Sequence, residues 1–227
     1  MAVLFHGGSW RARYGKWLMR GLAVDLLRRG WGVWNVEYRQ VGAGRGGGGG
    51  WPATFADVAA GVELLAEAGP RVDLERVVMI GHSAGGQLAL WVAGARRLGP
   101  GPPQRLRFRG VVSQAGVAAM AQAHAGDRDG SVHAVMGGAP DEVPERYDAV
   151  DPVGQVPLGA PILVVHGVED TTVSIQRSRT FTAAAREAGD EVDLVEIAGP
   201  PGGHSRHLDP GGEAWGVVVR WLETLGV

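Results

Sequence analysis

Short apolar runs alternate along the chain with longer segments whose apolar residues recur at helical spacing. The runs predict strands, and they cover residues 2–5, 33–38, 76–80, 109–114, 161–166 and 191–197. The segments with helical spacing cover residues 16–29, 52 to about 68, 84–97, 174–188 and 212–225. Such alternation is typical of an α/β fold, in which helices cover both faces of a mostly parallel sheet.

One segment interrupts this alternation. Residues 117–151 lie between two predicted strands and are rich in Ala, Gly, Asp and Pro. A bare loop of that length is uncommon within a compact domain, so we expect a structured, lid-like insertion over one end of the sheet. The chain of 227 residues (1–227) is expected to form a single domain, because α/β domains of this length are common.

Charge and composition restrict the classes of partner. The chain carries 22 Lys and Arg against 24 Asp and Glu, and its net charge of −2 gives no electrostatic reason to expect nucleic acid. It has no cysteine, which excludes a disulfide framework, a thiolate nucleophile and a Cys-ligated zinc site. The sequence shows neither the pattern of a membrane span nor that of a signal peptide. We therefore expect a soluble, cytoplasmic protein with a small-molecule substrate and no membrane partner; the oligomeric state stays open.

The strongest chemical signal is the sequence GHSAG at positions 81–85, between a predicted strand and a predicted helix. It matches G-x-S-x-G in the strand–turn–helix context that a nucleophile elbow requires. The turn lifts the Ser83 hydroxyl out of the sheet, and Gly81 and Gly85 must be small to avoid the neighbouring strand and helix. The N-terminus of the helix also favours negative charge beside the nucleophile. Ser83 is therefore the predicted nucleophile.

A serine nucleophile needs a base that a carboxylate holds in the right tautomer. Asp170 follows the predicted strand at 161–166, and His204 lies in a glycine-rich loop after the next strand. Serine, acid and histidine thus occur in the order of an α/β-hydrolase triad. Glu169 is a second candidate for the acid, and His207 is a second candidate for the base. We favour Asp170 and His204, since His204 directly follows the flexible glycines and catalytic groups gather where parallel strands end.

The loop HGGSW at positions 6–10 follows the first predicted strand. Acyl transfer places negative charge on the carbonyl oxygen, and preorganised backbone N–H groups stabilise that charge. The N–H of Gly8 or Ser9, together with that of Ala84, is the predicted oxyanion hole. His6 is interpreted as a structural hydrogen-bonding residue rather than a base.

Two patterns resemble cofactor or metal sites, and neither meets the requirements of such a site. Residues 42–47 match G-x-G-x-x-G after a strand, but the next helix opens only near Pro52. A dinucleotide-binding turn opens its helix within the motif. His124 and His133 have no second ligand at helical spacing. We therefore expect neither a cofactor nor a metal ion.

Five motifs together resemble the α/β-hydrolase superfamily and, within it, the esterase and kynurenine formamidase (arylformamidase)-like branch. They are HGGSW (6–10), EYR (37–39), WPATFADV (51–58), GHSAGG (81–86) and HGVED (166–170). The resemblance covers essentially the whole chain and implies an α/β-hydrolase fold. It also implies that Ser83, Asp170 and His204 form the triad, with Gly8 and Ser9 in the oxyanion loop.

The sequence departs from these relatives at its start. Family members have two strands before the HGG strand, whereas Met1 stands almost at that strand here. Either the sequence begins late or the sheet is shortened, and we expect a sheet that lacks the first two strands, with residues 33–38 at its edge. The N-terminal cap of lipase-type relatives is also missing, which leaves residues 117–151 as the only candidate lid.

We expect a carboxylesterase-type serine hydrolase that cleaves short-chain or aryl carboxylic esters through an acyl-enzyme. An amidase or formamidase that acts on N-formyl or aryl amides, such as N-formylkynurenine, would use the same groups and is an open alternative. A third hypothesis is a catalytically silent α/β-hydrolase that only binds its ligand, although no member of the triad is missing from the sequence.

Overall fold

A parallel sheet forms the centre of the computed structural model, which describes residues 1–66, 72–73, 76–94, 108–127 and 129–226. Its strands are β1 (Ala2–Phe5), β2 (Val33–Val36), β3 (Val77–His82), β4 (Phe108–Gln114), β5 (Ile162–Gly167) and β6 (Val192–Ile197). Their order across the sheet is β2-β1-β3-β4-β5-β6, and every neighbouring pair is parallel. The predicted α/β fold is confirmed.

Helices connect these strands. They are α1 (Arg20–Arg28), α2 (Ala53–Ala66), α3 (Ala84–Gly94), α4 (Met120–His124), α5 (Ser131–Met136), α6 (Pro144–Val150), α7 (Gln176–Glu187) and α8 (Glu213–Thr224). The predicted ends of the second and third helices, at residues 68 and 97, lie outside the described residues. None of the helices in the described part of the chain is long and apolar enough to cross a membrane.

The elements differ from the sequence prediction mainly at their ends. β2 stops at Val36, two residues early, because its pairing partner β1 ends at Phe5, the residue opposite Val36. The side chains of Glu37 and Tyr38, just beyond the strand, bind His6. The predicted helix at 16–29 begins with a 3₁₀ turn at Lys16–Met19 and becomes α-helical only at α1.

Both faces of the sheet are covered because alternate side chains of its central strands enter two different cores. Ala2 and Leu4 of β1 pack in one core with α1 and α8, including the indole of Trp215. Val3 and Phe5 enter the other core, with α2, α3 and α7. All four β1 residues are fully buried. Burial on both faces explains why the strands read as continuous apolar runs instead of alternating patterns.

Strand β2 lies at one edge of the sheet, as the sequence predicts. It pairs with β1, and no strand of the described residues lies on its other side. Val33, Trp34 and Asn35 are only partly buried, whereas β1 and β3 are buried along their whole length. The indole N–H of Trp34 donates to the carbonyl of Gly61, at 2.8 Å, and ties this edge to α2.

The segment 117–151 contains α4, α5 and α6, between β4 and β5. Two of its aspartates cap the first two of these helices. The Asp151 carboxylate accepts the N–H groups of Met120 and Ala121, at 3.0 and 2.9 Å, where α4 begins. The Asp127 carboxylate accepts the N–H groups of residues 131–133, the first residues of α5. The caps satisfy N–H groups that helix starts leave without partners.

Helix α3 approaches β1 so closely that only glycine fits at its second residue. A β-carbon on Gly85 would lie 2.0 Å from the carbonyl oxygen of Phe5 and 2.6 Å from that of His6. A β-carbon on Gly81 would lie 1.9 Å from the carbonyl oxygen of Gly85. The expectation that positions 81 and 85 must be small is confirmed.

We expect Gly85→Ala to destabilise the protein by about 3 kcal/mol, the upper end of the usual cost of overpacking, because the clash is with backbone atoms. Gly154→Ala is the matched control, since a β-carbon there meets nothing within 4 Å. That control should change stability by less than about 0.5 kcal/mol. Urea unfolding of both variants measures the difference; equal stabilities would contradict the close approach of α3 to β1.

Candidate active site

The candidate site residues lie where the parallel strands end. The HGG loop follows β1, Ser83 follows β3, Asp170 follows β5, and His204 follows β6 in a 3₁₀ segment, His204–Leu208. Because all the strands run in the same direction, these loops meet at one edge of the sheet.

Ser83 occupies a sharp turn between β3 and α3. Its φ of +56° lies in the left-handed region, which is unfavourable for a residue with a β-carbon. Two backbone hydrogen bonds hold the turn: the Ser83 N–H donates to the Gln114 carbonyl at 2.9 Å, and the Val117 N–H donates to the Ser83 carbonyl at 3.3 Å. Strand β4 and the start of the insertion therefore fix the conformation of this turn.

The structure brings Ser83, His204 and Asp170 together as a chain of hydrogen bonds. Nε2 of His204 lies 3.0 Å from Oγ of Ser83, and Nδ1 of His204 lies 2.7 Å from Oδ2 of Asp170. A carboxylate only accepts, so Nδ1 carries the hydrogen and Nε2 is free to accept the serine proton. This is the tautomer that a general base requires.

The Asp170 carboxylate is buried and held by several donors. Burial by itself would raise its pKa, but the neighbouring His166 ring and the hydrogen bond from His204 outweigh burial and hold the pKa well below its usual range. The N–H groups of Thr172 and Val173 also donate to Oδ1, at 2.8 and 3.0 Å. Asp170 therefore stays ionised at neutral pH and faces the imidazole as an anion.

The two alternative residues lie elsewhere. Glu169 is exposed to solvent, and its neighbour Asp170 is the carboxylate that contacts His204. His207 is fully buried, and burial lowers its pKa to about 4, with further lowering from His166 and His204. A histidine with that pKa is a poor base near neutral pH. The geometry therefore favours Asp170 and His204 over both alternatives.

His166, which the sequence analysis did not single out, supports the acid. Its Nε2 donates to the Val173 carbonyl at 2.9 Å and lies 3.4 Å from Oδ2 of Asp170, while Nδ1 is 2.6 Å from Oγ of Ser178. The ring is completely buried at the end of β5. In the sequence, the feature that could have drawn attention to His166 is its place as the polar last residue of an otherwise apolar predicted strand.

His82 has a similar supporting position beside His204. Its Nε2 donates to the backbone carbonyl of His204 at 2.9 Å, and the two rings lie 4.8 Å apart. Burial, followed by the proximity of His204, lowers the pKa of His82 well below its usual value. The ring therefore stays neutral and anchors the loop that carries His204.

The HGG loop packs directly against the elbow. A β-carbon on Gly7 would lie 2.8 Å from both the His82 carbonyl oxygen and the Ser83 β-carbon. Gly8 and Ser9 have φ values of +111° and +54°, which turn the backbone around the serine. Among the described residues, no protein acceptor takes the N–H of Ser9 or of Ala84.

His6 lies in the scaffold of this loop and does not contact the triad. Its Nε2 donates to Oε1 of Glu37 at 2.8 Å, and its ring stacks on Tyr38 with centroids 4.3 Å apart. The Tyr38 hydroxyl donates to the His6 carbonyl at 2.7 Å. Arg39 then forms a two-pronged ion pair with Asp57 of α2, at 2.7 and 2.8 Å. The EYR and WPATFADV motifs thus support the HGG loop.

A cleft of about 590 Å³ opens above Ser83. Its walls come from Ser9 and Trp10 of the HGG loop, from the insertion between residues 117 and 132, and from the loop at 170–174. Arg177 of α7 completes the wall. The serine hydroxyl is therefore reachable by a small molecule, and the insertion supplies much of the surface that such a molecule would contact.

Comparison with known proteins identifies the family of the chain. The model of the prolyl oligopeptidase family (Peptidase_S9) matches residues 29–207, most of the 227 residues. The chain belongs to the prolyl oligopeptidase family. This family falls within the α/β-hydrolase superfamily that the motifs predicted; the formamidase-like branch stays a prediction.

A curated relative is similar over much of this family domain. The "Uncharacterized peptidase YtmA" of Bacillus subtilis (strain 168) is 30% identical over 161 residues. The match covers 70% of this chain and 59% of the length of YtmA.

Solved structures share the fold at low sequence identity. Esterase B of Lactobacillus rhamnosis (HN001) is 20% identical with a TM-score of 0.82, and the match covers 99% of this chain and 74% of that chain. The bifunctional GH43-CE of Bacteroides eggerthii is 20% identical with a TM-score of 0.80 and matches 100% of this chain over 31% of its own length. These similarities confirm the α/β-hydrolase fold.

The buried histidine at position 207 should make stability depend on pH. Its folded-state pKa of about 4 lies below the ordinary value of about 6.5, so the unfolded chain binds this proton first as pH falls. The contribution that this pKa difference makes to the free energy of unfolding is fully present above pH 6.5 and is lost as pH falls from 6.5 to 4. Between pH 7 and 5, this site should lower the free energy of unfolding by about 2 kcal/mol.

Urea unfolding at pH 7 and pH 5 measures this change, and His207→Gln should remove about 2 kcal/mol of the pH-dependent loss. His133→Gln is the control because that histidine is exposed. An unchanged pH dependence in His207→Gln would show that His207 titrates normally in the folded state.

Proposed function

We propose that this protein is a serine hydrolase that cleaves short-chain or aryl carboxylic esters through an acyl-enzyme intermediate. The observation that carries the proposal is the hydrogen-bonded chain from Ser83 through His204 to Asp170, of which Ser83 and Asp170 line an open cleft. A serine hydroxyl with a correctly oriented imidazole and an ionised carboxylate is the arrangement that acyl transfer needs.

In the first step, Oγ of Ser83 attacks the carbonyl carbon, and its proton passes to Nε2 of His204. The carbonyl oxygen becomes an oxyanion, which the N–H groups of Ser9 and Ala84 stabilise; Gly8 sets the loop conformation, and its N–H is the alternative donor. Asp170 stabilises the imidazolium. The tetrahedral intermediate then collapses, the carbon–oxygen bond to the alcohol breaks, and His204 returns the proton to the leaving oxygen.

In the second step, water replaces the alcohol. His204 takes a proton from water as the water oxygen attacks the acyl carbon, and the bond to Ser83 breaks. Oγ recovers its proton from His204, and the carboxylic acid leaves. No cofactor or metal ion takes part in these steps.

The form of the cleft supports a small acyl group. We assign residues 117–151 the role of a lid-like wall, because this segment and the HGG loop border the space above Ser83. The apolar side chains of Val117, Val132 and Val173 line that space. The names of the structural neighbours, which include an esterase and a carbohydrate esterase, agree with ester cleavage.

Amide cleavage is the second candidate function. The family is that of a peptidase, and the relative YtmA is called a peptidase. The same three residues serve amides, including N-formyl and aryl amides, because an amine leaving group also takes its proton from the base. A side-by-side assay of N-formylkynurenine and an aryl acetate separates the two functions.

We expect the parent protein to hydrolyse p-nitrophenyl acetate and butyrate, and Ser83→Ala to lower kcat/KM by at least about 10³-fold. Ser205→Ala is the matched control, since this serine follows His204 in the chain but its exposed side chain makes no hydrogen bond with Ser83, His204 or Asp170. Continuous release of p-nitrophenol is the measurement. A folded parent with no more activity than Ser83→Ala would exclude the proposed mechanism.

His166 is expected to act as a positioning residue through Asp170. His166→Leu removes the N–H beside the carboxylate and should lower kcat about tenfold or more, with KM little changed because His166 does not line the cleft. His166→Gln places an amide N–H near the same point and should recover part of kcat. Equal losses in both variants, or a loss confined to KM, would contradict the positioning role.

A further inference from the structure

Arg177 holds a positive charge inside the cleft. It is the second residue of α7 and lines the same cavity as Ser83 and Asp170. Its Nη2 donates to the Ala123 carbonyl at 3.1 Å, and the guanidinium lies against the backbone of the insertion near Gly126. The side chain is half-buried, and burial lowers the pKa of Arg177 in spite of the nearby negative charge of Asp127.

The two carboxylates of the insertion that line the same cleft as Arg177 are bound to other groups. Asp127 accepts N–H groups at the start of α5, as described above. Oδ1 of Asp129 accepts the Ser131 N–H at 3.1 Å, and its Oδ2 lies 3.8 Å from Nε of Arg11. Among the described residues, no carboxylate lies within ion-pair distance of Arg177.

Other arginines of the chain, unlike Arg177, have carboxylate partners. Arg39 pairs with Asp57 and Arg179 pairs with Glu196, each through two hydrogen bonds of 2.7–2.8 Å. These pairs are partly exposed to solvent, and an ion pair in contact with solvent adds little to the free energy of unfolding. The half-buried guanidinium of Arg177 has lost water without gaining a carboxylate, which is unfavourable unless a ligand supplies the anion. Among the described residues, the Ala123 carbonyl is the one protein acceptor of its five N–H donors.

The surroundings select the kind of anion. A planar guanidinium binds a carboxylate through two parallel hydrogen bonds. A doubly charged phosphate would be repelled more strongly by Asp127, which is close enough to affect the pKa of Arg177. The apolar residues Val117, Val132 and Val173 line the same cavity and suit a short carbon chain.

We propose that Arg177 binds a free carboxylate of the substrate, so that the preferred esters carry one carboxylate on a short chain near the scissile carbonyl. This inference rests on the function proposed above and specifies its substrate class.

The test compares charged and neutral esters of similar size. Mono-p-nitrophenyl glutarate and p-nitrophenyl butyrate probe a carboxylate on the acyl side. 4-Acetoxybenzoate and 4-methylphenyl acetate probe a carboxylate on the alcohol side of the ester. Spontaneous hydrolysis is measured without protein and subtracted, since a neighbouring carboxylate speeds it.

For one of the two pairs, Arg177→Gln should lower kcat/KM of the charged ester about 10- to 100-fold and that of the neutral ester by less than about threefold. Arg177→Lys, which keeps the charge but loses the planar fork, should lie between parent and Arg177→Gln. Arg179→Gln removes the same charge from the same helix outside the cleft and should leave the ratio of charged to neutral rates unchanged. Equal effects on charged and neutral esters in both pairs would overturn the proposal and leave the proposed function intact.

A binding measurement distinguishes failure of the carboxylate site from failure of the proposed hydrolase function. Glutarate should raise the melting temperature of the parent and of Ser83→Ala but not of Arg177→Gln, and neutral glutaramide should have no such effect. If the parent hydrolyses no ester but glutarate still stabilises the parent and Ser83→Ala and not Arg177→Gln, the proposed function is excluded and the carboxylate site at Arg177 is supported. If Arg177→Gln does not fold, competition of glutarate and glutaramide against p-nitrophenyl butyrate in the parent decides: equal inhibition by both compounds would overturn the proposal.

Discussion

The close packing of strand, turn and helix around Ser83 is the constraint on which the site depends. The serine has a left-handed backbone, which is unfavourable by itself, and hydrogen bonds with Gln114 and Val117 hold it there. Glycine at position 85 lets α3 reach β1, and Gly7 then lies against the serine. The close contacts of Gly7 and Gly85 therefore fix the positions of Ser83 and the HGG loop relative to each other.

A second set of contacts holds the HGG loop from behind. Glu37 and Tyr38 bind the side chain and the carbonyl of His6, and Arg39 ties this segment to Asp57 of α2. Burial tends to raise the pKa of Glu37, but the hydrogen bond from His6 and those from the backbone leave the pKa below its usual value. These residues do not touch the cleft, so their appearance in the motifs reflects the support of the loop more than the binding of a substrate.

The histidines near the serine differ in role because their environments differ. His204 is partly exposed and lies within hydrogen-bond distance of both the Asp170 carboxylate and the Ser83 hydroxyl, the position that the proposed general base requires. His82 and His207 are buried, and burial lowers the pKa of each, so they remain neutral structural residues. His166 is buried against the acid and limits the orientation of the carboxylate. Residue type alone does not distinguish a base from a supporting group; solvent access and partners do.

The sequence by itself determined the alternation of strands and helices and the turn at Ser83, because these features depend on local periodicity and on glycine at fixed spacing. It also determined the order of serine, acid and histidine, but not which of two neighbouring acids and two nearby histidines face each other. The tertiary structure decided that choice, and it revealed His166 and Arg177. Their importance comes from burial and from partners distant in the chain, such as Ser178 for His166 and Ala123 for Arg177, which no spacing within a short motif encodes.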